Sequence, residues 1–182
     1  MVGLVDEKQS LLVTIDIQEK LIPTIYQNEY LLEQNKKILQ AAQLLNIPKI
    51  LTEHFPHKLG PTAPEIKSYF TDHEIIEKTD MSCCENQDFS SKIKNMHKEH
   101  IILTGIEAHV CVLQTAIQLH EMNKKVYVVS DAISARAPNS TSIAIERMRH
   151  HGIEIINFEM LLFEWIRCGD HPQFKPLIQL IK

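Results

Sequence analysis

The chain has 182 residues, 44% of them hydrophobic and 23% charged, which is ordinary globular usage; it excludes a disordered or fibrous chain and fits one domain over 1–182. A net charge of −4, with no arginine-rich stripe and no aromatic-basic interleaving, argues against a nucleic-acid partner and leaves a small-molecule substrate, uncharged or anionic, open. The N-terminal MVGLVDEKQS lacks an apolar signal core, no later segment is long enough for a bilayer, and the four cysteines form no CxxC pair, so a cytoplasmic chain with reduced thiols and no membrane partner is expected.

SLLVTIDIQ opens with a short apolar, partly β-branched run, as a strand covered on both faces should. From Asn28, a cap candidate, Leu31, Leu32, Asn35, Ile38, Leu39, Ala42 and Leu45 recur at helical spacing until Pro48. PKILTEH is the second strand. HFPHKLGPTAPEI, with three prolines and a glycine, is a structured loop, and HEIIEK is a short third strand. After TDMSCCENQ a helix capped by Asp88 or Ser90 runs through Met96, and HIILTGI is the fourth strand. A glycine turn follows, and an amphipathic run begins with Cys111 in its first turn. KKVYVVSDAIS is the fifth strand, NSTSIAIERMRHHG a helix capped by Asn139 or Ser140 and closed by Gly152, IEIINF the sixth strand, and EMLLFEWIR a last amphipathic helix before a basic-ended tail.

Strands alternating with helices imply an α/β fold, a parallel sheet with right-handed crossovers and helices on both faces. In the common Rossmann-like order 3-2-1-4-5-6, strands one and four are neighbours where the winding reverses, and ligands bind beyond their C-terminal ends. Asp16 ends strand one and Cys111 lies just past strand four, so sequence order brings a carboxylate and a thiol toward one crevice. A helix N-terminus favours a thiolate, which makes Cys111 a nucleophile candidate beside the plainer reading of a packed core cysteine. A carboxylate at a strand end is costly to bury unpaired, so Asp16 should meet a cation or a proton donor. Lys78, closing HEIIEK, is placed to be that cation.

DIQEKL at 16–21, EKTDMS at 77–82, TGIEAHVCVLQTAIQL at 104–119 and the following VYVVSDAISAR together resemble the landmarks of the isochorismatase-like cysteine hydrolases, in order and spacing. HPQFKPLIQLIK at 171–182 is similar to the tail of the isochorismatase domain-containing branch, near the YcaC-type hydrolases. The resemblance implies an Asp16–Lys78–Cys111 triad in which the aspartate takes the thiol proton, the lysine holds the charged pair and the thiolate attacks a carbonyl carbon. It also implies a cis peptide at Ile106–Glu107 that turns the Glu107 N–H, beside that of Cys111, toward an oxyanion. Homo-oligomers are expected by the same resemblance, with MLLFEWI and its Trp165 contributing to a subunit interface as well as to the core. The family commonly carries threonine where this chain has Ala108.

Ten histidines raise the question of a metal. Related nicotinamidases use an Asp-x-His unit and a second histidine in the loop after strand two. Here that loop offers Glu53, His54 and His57 at a different spacing, so no metal is expected. His109, two residues before Cys111, is a candidate substrate contact. TGIEAHV lacks the later glycines of a dinucleotide loop, and no cofactor is expected. The resemblance, with Cys111 retained, thus implies a cysteine hydrolase cleaving a C–N bond of a small amide-like substrate through a thioester. The alternatives are an idle scaffold that keeps the fold and a vinyl ether hydrolase of the isochorismatase type.

Overall fold

The structure, a computed structural model, describes residues 3–182. Six strands, β1 (Ser10–Ile15), β2 (Lys49–His54), β3 (Ile75–Lys78), β4 (His100–Ile106), β5 (Lys125–Ser134) and β6 (Glu154–Ile156), form one sheet in the order β3-β2-β1-β4-β5-β6, and every pairing is parallel. This is the expected Rossmann-like arrangement. The central strands β1 and β4 are buried along their whole length, which is why SLLVTI and HIILTGI read as nearly unbroken apolar runs.

Helices α1 (Asn28–Leu44), α2 (Pro56–Leu59), α3 (Pro64–Lys67), α4 (Gln87–Asn95), α5 (Leu113–Glu121), α6 (Pro138–His150), α7 (Phe158–Ile166) and α8 (Phe174–Ile178) cover the sheet. Strand alternation sorts the core into two layers. Leu12, Leu51, Ile102 and Tyr127 pack against α1, α7 and α8, whereas Leu11, Val13, Ile101 and Val128 pack against α4, α5 and α6. Trp165 belongs to the first layer. It is buried, with its indole N–H donating to the Ser10 hydroxyl at 2.9 Å, so of the two roles expected of MLLFEWI, core and subunit interface, Trp165 fills the core one only. The outward face of α7 carries Met160 and Phe163 instead.

Several helix ends differ from the sequence reading. Asn86, not Asp88 or Ser90, caps α4 by accepting from the Phe89 amide at 3.0 Å. Helix α6 starts on Pro138 without a side-chain cap, so Asn139 and Ser140 lie inside it. Asn28 is the first residue of α1 and sends its amide to the Ile22 carbonyl. Asn157, expected to continue β6, caps α7 through the Met160 amide. Each is a choice among neighbouring polar side chains that only the chain path resolves.

Where β4 meets β1, Gly105 pairs with Ile15, adopts φ +109°, and marks a register shift against β5. A Cβ there would lie 2.1 Å from the Ile15 carbonyl oxygen. The glycine therefore lets the ends of the two central strands close on each other, one residue before Asp16. Gly105→Ala is expected to cost about 2–4 kcal/mol of stability, from backbone overpacking and a left-handed φ. The denaturant midpoint reads this loss, and a change under about 1 kcal/mol would show that β1 and β4 can part freely.

Candidate active site

Asp16 leaves β1 in a left-handed conformation (φ 53°), and its N–H donates to the Thr52 carbonyl at 3.1 Å. The turn sends its carboxylate across the end of β2, where Oδ1 accepts from the Thr52 hydroxyl at 2.6 Å and Oδ2 meets Lys78 Nζ at 2.7 Å. The buried aspartate thus finds both a proton donor and a cation. Lys78, the last residue of β3, is itself buried; Nζ also donates to the Asp80 and Met81 carbonyls at 3.1 and 3.4 Å and lies 3.5 Å from Cys111 Sγ. Burial is the largest influence and works against its cation, but the Asp16 carboxylate, by charge and hydrogen bond, together with the nearby Cys83 and Cys111 raises the lysine pKa on balance.

Cys111 sits in a π-helical turn, Ala108–Val112, that leads into α5, rather than in the first α-turn itself. The Ile106–Glu107 peptide ahead of it is cis, as the family resemblance implied. The Glu107 carbonyl accepts from the Val110 and Val112 amides at 3.0 and 3.3 Å, and the Cys111 amide between them takes no part in that pair of bonds. The expectation that position alone favours the thiolate is corrected. Burial first, and then the Asp16 carboxylate, push the Cys111 thiol up to about 12 against the pull of Lys78. Burial and the Asp16 carboxylate thus both favour the neutral sulfur, and Lys78 opposes them.

Asp16, His54 and Cys111 line a common cavity of about 270 Å³, walled by apolar side chains including Leu21, Leu59, Met81 and Val110. A roomier groove of about 520 Å³ beside Leu4, Met160 and Phe163 holds no nucleophile. At the mouth of the first cavity Arg136, exposed, donates through Nε to Glu107 Oε2 at 3.0 Å. Three segments, 54–64, 80–88 and 132–139, each contribute to the lining, through His54 and Leu59, Met81, and Arg136. His109 is not among the lining residues, and its Nδ1 is buried without a partner.

Glu53 and His54 are adjacent on a strand and point to opposite faces; the Glu53 carboxylate accepts from the Thr62 amide at 2.8 Å. Among the described residues no three His, Cys, Asp or Glu side chains converge to hold a metal ion. Ala108, where the family's threonine stands, is fully buried in the layer that holds Cys111 and Val112. Thr52, which orients Asp16, escaped the sequence reading. Its signal was present: a hydroxyl that follows the apolar pair Ile50–Leu51 in a buried strand and must find a partner.

A family model described as the isochorismatase domain matches residues 10–160. Isochorismatase domain-containing protein 2 of Danio rerio is 35% identical over 181 residues, covering 99% of this chain and 90% of that protein. Among solved structures, the MAR1 ribonuclease from Caenorhabditis elegans superposes with a TM-score of 0.93 at 33% identity, over 98% of this chain and 92% of its own. The YcaC gene product of Escherichia coli, described as an octameric hydrolase of unknown specificity, superposes with a TM-score of 0.88 at 23% identity, over 97% of this chain and 95% of its own, a likeness of fold. With the domain matched over most of the chain and its landmark residues gathered at the sheet's switch point, this protein belongs to the isochorismatase family.

Proposed function

We propose that this chain is a cysteine-dependent hydrolase that cleaves the C–N bond of a small amide-like substrate through a thioester on Cys111. The observation that carries the reading is the placing of Cys111 Sγ beside a buried Asp16–Lys78 ion pair, with Asp16 and Cys111 facing one cavity. Asp16 takes the Sγ proton as sulfur bonds to the carbonyl carbon, and the Glu107 and Cys111 amides receive the resulting oxyanion. When the C–N bond breaks, Asp16 returns that proton to the departing nitrogen. Water then attacks the thioester with Asp16 again as base, releasing the acid and freeing the thiol. Lys78 remains a cation throughout and keeps the carboxylate oriented.

Two amide donors and one carboxylate supply every charge and proton these steps need. A panel of amides, ureides, nicotinamide and a vinyl ether, run against wild type and Cys111→Ala, tests the reading. Hydrolysis of the vinyl ether alone, undiminished in the variant, would establish the isochorismatase-type reaction instead. An idle scaffold would turn over nothing.

A ribonuclease reading is raised by the description of the C. elegans neighbour. A phosphodiester needs free cations. Here Lys78 is paired to Asp16 at 2.7 Å, Arg136 to Glu107 at 3.0 Å, and the chain carries a net charge of −4. Those pairings favour an uncharged substrate, and Cys111-dependent cleavage of an RNA oligonucleotide faster than any amide would reverse the choice.

The four cysteines are free thiols, which suits the cytoplasm, and among the described residues no helix is long and apolar enough to cross a membrane. We also propose that the chain self-associates, as the YcaC protein of E. coli does, through the exposed Leu4, Met160 and Phe163. Light scattering at micromolar concentration should report an assembly larger than one chain, and a monomer would refute it.

A further inference from the structure

The loop between β3 and α4 is tied to the helix that follows the nucleophile, and the proposed mechanism does not use that tie. Thr115 and Gln118, three residues apart, share a face of α5, which runs on from the turn carrying Cys111. Thr115 is fully buried, and its hydroxyl oxygen accepts from the Cys83 amide at 2.9 Å. Gln118 Oε1 accepts from the buried Ser82 hydroxyl, whose oxygen in turn accepts from the Cys84 amide at 3.2 Å. Gln118 Nε2 donates to the Glu85 carboxylate. Residues 82–85 are thus held by two side chains of one helix face.

The residues just before them hold the lysine. Asp80 and Met81 turn their carbonyls to Lys78 Nζ at 3.1 and 3.4 Å, and Asp16 Oδ2 meets it at 2.7 Å, so the three ammonium protons have three oxygens, with Cys111 Sγ a fourth neighbour at 3.5 Å. A buried ammonium short of an acceptor is costly, and its four-carbon stem is flexible. Where Nζ stands relative to Sγ therefore depends on where the two carbonyls stand. Residues 79–81 are exposed, so packing does little to fix them, and the bonds from α5 lie immediately beyond.

One continuous stretch of chain carries the sulfur and, four residues on (115 − 111), the hydroxyl that fixes the lysine's loop. We propose that Thr115, with Gln118 beside it, is a positioning residue of the reaction: by holding residues 82–85 it keeps the Asp80 and Met81 carbonyls on Lys78, and so keeps the ammonium aimed at both Asp16 and Cys111. Thr115 touches neither substrate nor a reacting atom, and its effect passes through the lysine. The oxygen matters rather than the bulk, since a valine would fill much the same space and leave the Cys83 amide unpaired. The inference rests on Cys111 being the activated nucleophile.

The test uses iodoacetamide on the whole protein at neutral pH. Sulfur bonds to the methylene carbon, iodide leaves, and the thiol proton passes to Asp16 and on to solvent. Mass spectrometry of the Cys111 peptide gives the rate for that thiol alone. Thr115→Val should slow it about tenfold, the worth of one buried hydrogen bond, and Thr115→Ser, which keeps the oxygen, should hold most of the wild-type rate. In the Asp16→Asn/Lys78→Met background, which has no ion pair to position, Thr115→Val should change the rate by less than about twofold. Gln118→Met, at the half-buried end of the clamp, should slow Cys111 only where the ion pair is present, and it carries the test if Thr115→Val does not fold. The positioning role is overturned if these variants keep the wild-type rate, if Thr115→Ser is as slow as Thr115→Val, or if the loss is equally large without the ion pair, which would put the effect on the Cys111 turn itself. A wild-type Cys111 that reacts no faster than in the Asp16→Asn/Lys78→Met variant would instead overturn the nucleophile assignment, and the proposal with it.

Discussion

Cys111→Ala is expected to lower turnover of any amide the wild type hydrolyses by at least about 10⁴-fold while leaving the fold intact. The substitution removes one sulfur from a half-turn that β4 and α5 hold in place, a loss of about 1 kcal/mol of packing. It also removes a sulfur that lines the cavity and lies within reach of Lys78. Cys83→Ala is the informative control. Cys83 is fully buried, 3.9 Å from the Thr52 hydroxyl, and is absent from the cavity lining, so its variant should keep most activity. A dead Cys83→Ala beside an active Cys111→Ala would transfer the nucleophile's role.

The pH profile of Cys111 alkylation separates two ways of activating the thiol. With its pKa pushed up to about 12, chiefly by burial and then by Asp16, simple ionisation would make the rate climb tenfold per unit through about pH 7–10. Proton removal by Asp16 during attack gives a flat profile over the same range. We expect the flat profile in wild type. In Asp16→Asn the tenfold slope should return, with the neutral rate lower by about 10²–10³-fold.

Lys78→Met is expected to cost about 3–5 kcal/mol of stability as well as activity, because it leaves the Asp16 carboxylate buried with no cation 2.7 Å away. The double variant Asp16→Asn/Lys78→Met should recover most of that stability and none of the turnover, since a neutral amide tolerates the site but cannot act as base. Denaturant titration at neutral pH measures both the loss and its recovery. A single variant as stable as wild type at neutral pH would mean that water already screens the pair.

The order of the sheet and the meeting of Asp16 with Cys111 follow from the sequence by itself. SLLVTI and HIILTGI are apolar on both faces, which only central parallel strands require, and the alternation with helices leaves one right-handed winding whose reversal falls between them. Lys78 was legible as a strand-end cation, and the landmarks around all three residues carried the family. What the tertiary structure decided depends on distances between segments far apart in the chain. The thiol's protonation is set by burial and by a carboxylate 95 positions away (111 − 16), so a helix-end argument from local sequence gave the opposite sign. Trp165 turned inward because the Ser10 hydroxyl lies beneath it, and nothing in MLLFEWI tells which of its apolar faces meets the sheet. His54 reads in sequence as one histidine among ten; only the pairing of β2 with β3 and the Gln18 hydrogen bond to its backbone set it in the lining of the cavity beside Asp16 and Cys111.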